Sequence, residues 1–162
     1  MAKEGHGRQF ATSMSATVKD QLLRTQNECT FIWSTNAGDG IGTVMSYLWH
    51  DNSLWLTTND SRPRVGAVRA RPRACVVVSS TGTAMGISRC ISIKGECVIH
   101  PMQVVKDWFL PEYCCHVLPN NPRGAEKMAA MLDAPGQVVL QVIPEKFICY
   151  DGHSLMSGLN AL

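Results

Sequence analysis

The sequence predicts a mainly β domain in which six or seven antiparallel strands close into a barrel decorated by a few short helices. Three observations support this. Short apolar or alternating runs recur along the chain, separated by turn residues. These runs follow one another through tight turns, without the regular helical crossovers that a parallel sheet requires. The chain has 162 residues, 45% of them hydrophobic, enough to bury one sizeable core but hardly two. A single domain over 1–162 is expected, with 1–12 and 153–162 as peripheral tails.

The elements can be justified in order. The stretch SMSATVKDQLLRTQ (13–26) has the pattern of a helix opened by Ser13 or Ser15, with Val18, Leu22 and Leu23 near one face. CTFIWST (29–35) has strand composition, and NAGDGIG (36–42) is a turn. The turn resembles a dinucleotide-binding loop only superficially, because that loop needs G-x-G-x-x-G spacing leading from a strand into a helix. TVMSYLWH (43–50) follows instead and is a strand, so the segment is a hairpin. Asp51 and Asn52 suit a tight turn into SLWLTTN (53–59), a second hairpin.

An arginine-studded helix comes next, capped by Asp60 or Ser61 and carrying Pro63 in its first turn. ACVVVSS (74–80) and the alternating CISIKGECVIH (90–100) are strands flanking a Gly/Thr-rich loop, and Pro101 ends the second. MQVVKDWFL (102–110) is helical in pattern. PEYCCHVLPNNPRG (111–124), with three prolines, is expected to be an irregular connection before a second helical piece, AEKMAAML (125–132). QVVLQVIPEKFICYDG (137–152) closes the domain as a strand pair or one long bent strand.

Charge is distributed unevenly. The net formal charge is only +2, too small for a general nucleic-acid or membrane binder. Yet no Asp or Glu lies between Asp60 and Glu96, whereas Arg62, Arg64, Arg69, Arg71, Arg73, Arg89 and Lys94 all do. At the start of a helix the backbone amides have no intrahelical acceptor and the dipole is positive. Arg62 and Arg64 therefore stand beside a ready-made anion site, and a guanidinium fork suits phosphate oxygens. Arg69, Arg71 and Arg73 fit a solvated helical face.

Seven cysteines, an odd number in a chain of this length with no C-x-x-C pair and no signal peptide, fit reduced thiols in a cytoplasmic protein. Cys29, Cys75, Cys97 and Cys149 lie in apolar or alternating runs, where cysteine acts as a small hydrophobe. Cys114, Cys115 and His116 form the one cluster with metal-ligand chemistry. Without a second cluster at zinc spacing, no metal is expected. No apolar run approaches the ~20 residues that span a bilayer.

In this order, GTVMSYLWHDNSLWLTTNDSRPRVGAVRARPRACVVVSS, then ISIKGECVIH, then VVLQVIPEKFICYDG resemble the pyridoxamine 5′-phosphate oxidase-like family of FMN-binding split β-barrels. The likeness spans about residues 28–152, and LWLTT followed by the basic helix start and RPRACVVV is its most specific piece. It implies a homodimer with two flavins in clefts between the subunits. By the same resemblance, Thr57, Thr58, Ser61, Arg62 and Arg64 would hold the cofactor phosphate, and Met45, Ser46, Tyr47 and Leu48 would lie along the isoalloxazine ring. The chain reads Met45-Ser46 where many relatives carry Arg or Thr followed by Pro. It also lacks the Trp- and Arg-rich C-terminal signature of a true pyridoxamine phosphate oxidase, so vitamin B6 oxidation is not the expected activity.

The expected function is an FMN-dependent oxidoreductase acting on a small molecule, with a nicotinamide cofactor as a candidate reductant. The alternatives are a deazaflavin coenzyme in place of FMN, and a non-catalytic flavin- or haem-binding protein. No Ser-His-Asp pattern or close carboxylate pair offers separate catalytic machinery. His50, His100, His116 and His153 are possible proton donors, and no catalytic residue is assigned among them. No nucleic-acid or membrane partner is expected.

Overall fold

The computed structural model describes residues 14–153, so residues 1–12 and all but the first of 153–162 lie outside the described residues, as does Ser13. Helix α1 (Ala16–Thr25) is capped by Ser15, whose hydroxyl accepts from the Val18 amide at 3.2 Å, and it buries Leu22 and Leu23. Strands β1 (Glu28–Ser34) and β2 (Gly40–Ser46) form the first hairpin. β3 (Leu48–His50) and β4 (Ser53–Asn59) form the second, turned by Asp51 and Asn52, both at positive φ as a two-residue hairpin of this hand demands.

Helix α2 (Pro63–Ala70) precedes β5 (Arg73–Ser79) and the long β6 (Arg89–His100). Helices α3 (Gln103–Val117) and α4 (Pro122–Leu132) lead into β7 (Gln137–Asp151).

All seven strands join one antiparallel sheet in the order β2-β1-β5-β6-β7-β4-β3. Its two outermost strands, β2 and β3, are neighbours in the chain, separated by Tyr47 alone. One residue cannot bridge the width of a flat sheet, so the sheet must curl until its edges nearly meet. The result is a split barrel. The bend is concentrated where the β6–β7 register slips between Lys94 and Gly95, leaving Glu145 as the extra residue of a bulge. A Cβ on Gly95 would fall 2.0 Å from the Ile143 carbonyl oxygen, so that close crossing requires glycine.

The sheet has two cores. Its inner face, with Phe31, Leu54, Leu56, Val76, Ile91, Ile93 and Leu140, packs with Leu22 and Leu23 of α1 and Val65 and Val68 of α2. A second core of Leu48, Trp55 and Val139, on the outer face of β3, β4 and β7, lies beneath Phe109, Leu110, Tyr113 and Cys114 of α3 and Ala125 of α4.

Three expectations are corrected. TVMSYLWH is two strands, because Tyr47 turns into the barrel core and its neighbours pair with different partners. Helix α2 is capped by neither Asp60 nor Ser61: Arg62 holds the cap position and makes no side-chain cap bond. Pro111 does not end a helix either, for α3 runs through it to Val117, held by buried Phe109, Leu110, Tyr113 and Cys114.

Candidate functional site

The arginine segment divides by partner. Arg69 pairs with Asp60, Arg73 forms a two-pronged contact with the bulge residue Glu145, and Arg71 donates to Asn36 Oδ1 at 2.9 Å and to the Ser34 carbonyl at 2.7 Å. Arg69 and Arg73 are exposed, as a solvated face implies, while Arg73 also ties β5 to β7 and half-buried Arg71 ties the end of α2 to the β1–β2 hairpin. Arg89 likewise pairs with Asp151 at 3.1 Å.

Arg62 and Arg64, like Arg71, have no carboxylate partner among the described residues, but they stand at the start of α2 rather than at its end. Arg64 Nη1 donates to the Thr58 hydroxyl at 2.9 Å, and the guanidinium lies 5.8 Å from the Trp33 ring centroid. Its Nε is buried without a hydrogen-bond partner, as is the Nε of Arg71. Burial, and then the neighbouring Arg62 charge, lower the Arg64 pKa from the ordinary guanidinium value. Two unneutralised cations at an uncapped helix start, one with an orphaned donor, form an electrostatic arrangement that an anion completes. The donor set fits a phosphate.

The other predicted phosphate residues are not all gathered there. Thr57 and Thr58 alternate across β4. Thr58 pairs with Val138 on the inner face, whereas Thr57 pairs with Val139 and faces the helices. The Thr57 hydroxyl donates to the Val138 carbonyl at 3.0 Å and accepts from Gln137 at 2.8 Å. Ser61 donates its hydroxyl to Asn59 Oδ1 at 2.7 Å and its amide to the same atom, closing a local turn beside Arg62.

The four ring-strand residues also alternate. Met45 packs against the inner core and Tyr47 is sealed within it, its hydroxyl donating to the Leu23 carbonyl at 2.9 Å. Leu48 is buried under α3. Ser46 is half-buried on the outer face, paired with Glu28. Beside it lies a groove of about 260 Å³ walled by Glu28, Thr30, Val44, Val77 and Ser79, which sequence inspection did not single out. The signal was present in the alternation of β1, β2 and β5, but only their pairing register aligns it. Trp33 and Cys29, which mark the arginine end and the Met45 end along β1, are four residues apart, about 13 Å of strand.

Buried thiols surround this region without forming a redox pair. Burial pushes Cys29 and Cys97 up to about 12 and Cys114 up to about 11, and all seven cysteines are free. Cys114 is on the buried side of α3 whereas Cys115 is exposed, and His116 Nε2 sits 3.3 Å from the Gln26 carbonyl oxygen. His50 contacts Glu112 at 3.2 Å and His100 contacts Gln141 at 2.9 Å, so both serve local packing at the α3 side. Half-buried His153 lies beside Gly86.

No protein-family model matches the chain, and no curated protein matches it. Solved structures do. The conserved hypothetical protein Rv2991 from Mycobacterium tuberculosis superposes with a TM-score of 0.71 at 16% identity, over 89% of this chain and 89% of that one. A FAD-binding protein from Mesorhizobium loti gives 0.64 at 15% identity, over 86% of this chain and 96% of that one. An F420 reductase gives 0.56 at 18% identity, over 80% of this chain and 94% of that one. At such identities the likeness establishes the fold.

Proposed function

From the premise that the chain has the split-barrel fold of the pyridoxamine 5′-phosphate oxidase-like proteins, we propose that it binds a phosphate-bearing flavin, FMN or a deazaflavin coenzyme, and acts as an oxidoreductase on a small molecule. The observation that carries this is the Arg62–Arg64–Thr58 corner, with its buried, partnerless Arg64 Nε and no carboxylate paired with either arginine among the described residues. When bound, such a cofactor supplies the electron transfer itself. The chain's part is to neutralise the phosphate with Arg62, Arg64 and the α2 amides, and to present the edge strand β2, whose outward peptide groups have no ladder partner, to the ring.

The proposal includes a homodimer. Directly paired residues share a face, so Val44, Thr30, Val77, Ser92 and Ile148 form one outward row across five strands. Val44 is 65% and Ile148 51% exposed, and the groove beside Ser46 opens on this row. A second subunit seated there would cover the exposed Val44 and Ile148 and wall the groove beside Ser46. Among the described residues no helix is long and apolar enough to cross a membrane.

The visible spectrum of purified protein tests the cofactor class, since FMN, deazaflavin and haem absorb differently. Arg62→Ala with Arg64→Ala removes two charge-assisted contacts worth about 1.5–3 kcal/mol each, so affinity for FMN or the deazaflavin coenzyme should fall at least ~10-fold. An unchanged dissociation constant would overturn the assignment of the phosphate corner.

A further inference from the structure

The outer face of the sheet carries opposite charges on the two sides of an uncharged row. Val44, Thr30, Val77, Ser92 and Ile148 cross five strands with no ionisable side chain among them. Glu28 lies two residues to one side of Thr30, paired with Ser46. Lys94 lies two residues beyond Ser92 on the other side, because β1 and β6 are each antiparallel to β5 and so run the same way. Two strand spacings across and four residues along the strands put Glu28 and Lys94 about 16 Å apart. Lys94 directly faces Lys146 of β7, and like charges at opposed positions of neighbouring strands repel. Glu28, Lys94 and Lys146 are all exposed, and none of them has an ion pair among the described residues.

Water serves an exposed charge well enough, so these side chains need no partner for the sake of stability. What they do is distinguish the ways in which two copies of this face can meet, since the two signs sit at opposite corners around the exposed Val44 and Ile148. A two-fold axis lying between the faces and running along the line from Glu28 to Lys94 sets acid on acid and lysine on lysine. An axis at right angles to that line sets Glu28 of each copy on the lysine pair of the other, twice over, and relieves the repulsion within that pair. Resting on the homodimer reading, we infer that two copies meet in this second orientation, with Glu28 of each protomer paired to the partner's Lys94 and the partner's Lys146. Glu28 also walls the groove beside Ser46, so the same contact carries a cation of one protomer to the groove of the other.

The test is sedimentation of the full-length protein, wild type first. A wild type that is monomeric at micromolar concentration overturns the homodimer reading and this inference with it. Against a dimeric wild type, Glu28→Lys sets a third ammonium on the lysine pair, and Lys94→Glu with Lys146→Glu sets carboxylates on Glu28. Each variant should raise the dimer dissociation constant at least ~10-fold at low salt, and less at high salt, where surface charges are screened. Mixing the two variants is the decisive step. Their heterodimer has one native contact and one with both signs reversed, so it should form with an affinity within about 3-fold of wild type, at least ~3-fold tighter than either variant binds itself. Glu126→Lys, at an exposed position on α4, changes the net charge as Glu28→Lys does and should leave dimerisation unaltered. Unchanged circular dichroism in every variant shows that the fold is retained. With the wild type dimeric, unaltered dimerisation in both charge-reversed variants, absence of the heterodimer, or an equal loss with Glu126→Lys overturns the inference and leaves the homodimer reading standing with its faces in another orientation.

Discussion

Thr57 and Thr58 illustrate how much a single position decides. Thr57→Val removes a donated and an accepted hydrogen bond at the β4–β7 ladder, so it should cost about 1–2 kcal/mol in denaturant unfolding and leave cofactor affinity alone. Thr58→Val frees Arg64 Nη1 at the phosphate corner, and should weaken the cofactor several-fold with less than about 1 kcal/mol lost in stability. If the two variants change cofactor affinity equally, the corner is misplaced. Period-two alternation in SLWLTTN already implies that adjacent threonines face opposite ways. What the sequence lacks is which face carries Arg64, because that depends on how α2 returns over Trp33. The thiols give a pH prediction. Cys29 and Cys97 have folded pKa values raised to about 12 by burial, so the folded state holds their protons after the unfolded chain has lost them. Their contribution is whole below the unfolded thiol value near ~8.5 and declines as pH rises toward about 12, by at most about 1.4 kcal/mol per pH unit for each thiol. Unfolding free energy followed from pH 8 to 11 should show this fall, and Cys29→Ala with Cys97→Ala should reduce its slope, leaving the part due to Cys114, even though both substitutions lower the stability at pH 8.

Among the elements, α3 and the Tyr47 junction were the least legible. A proline after MQVVKDWFL reads as a stop because it removes a helical hydrogen bond and crowds the preceding turn. Here tertiary burial of Phe109, Tyr113 and Cys114 on either side of Pro111 outweighs that cost. Pro111→Ala restores an amide donor for the Asp107 carbonyl, and should raise stability by about 1–2 kcal/mol once the proline's restriction of the unfolded chain is deducted. No gain in the thermal midpoint would mean that α3 already accommodates the proline without cost. Tyr47 likewise sits in an apolar, strand-like run that local pattern cannot divide. Only the pairing of β2 with β1 and of β3 with β4 shows that the chain passes there from one edge of the sheet to the other. The hairpins were visible in the sequence, as were the closing β segment, left open between a strand pair and one long bent strand, and the first helix, left open between a Ser13 and a Ser15 cap, since each depends on residues close along the chain.

At the scale of the whole molecule, the two sides of the sheet are covered unequally. Helices α3 and α4 roof the outer face of β3, β4 and the first half of β7, whereas the outer row from Val44 to Ile148 has no helix packed on it among the described residues. A monomer would leave Val44 and Ile148 of this row in water, and the groove beside Ser46 would be open on that side. In the proposed dimer the same row meets its symmetry mate, so one added charge appears twice at an isologous interface and repels itself. Val44→Lys combined with Ile148→Lys should therefore convert the dimer to a monomer in sedimentation at micromolar concentration. Because both side chains are exposed in the single chain, the fold itself should lose no more than about 0.5 kcal/mol per site. The cofactor outcome separates two arrangements. If the partner walls the cleft, the monomeric variant should release flavin with an affinity at least ~10-fold weaker, although Arg62, Arg64 and Thr58 are untouched. A variant that remains dimeric places the interface on another face, and a monomer that keeps full flavin affinity places the whole cofactor site within one chain.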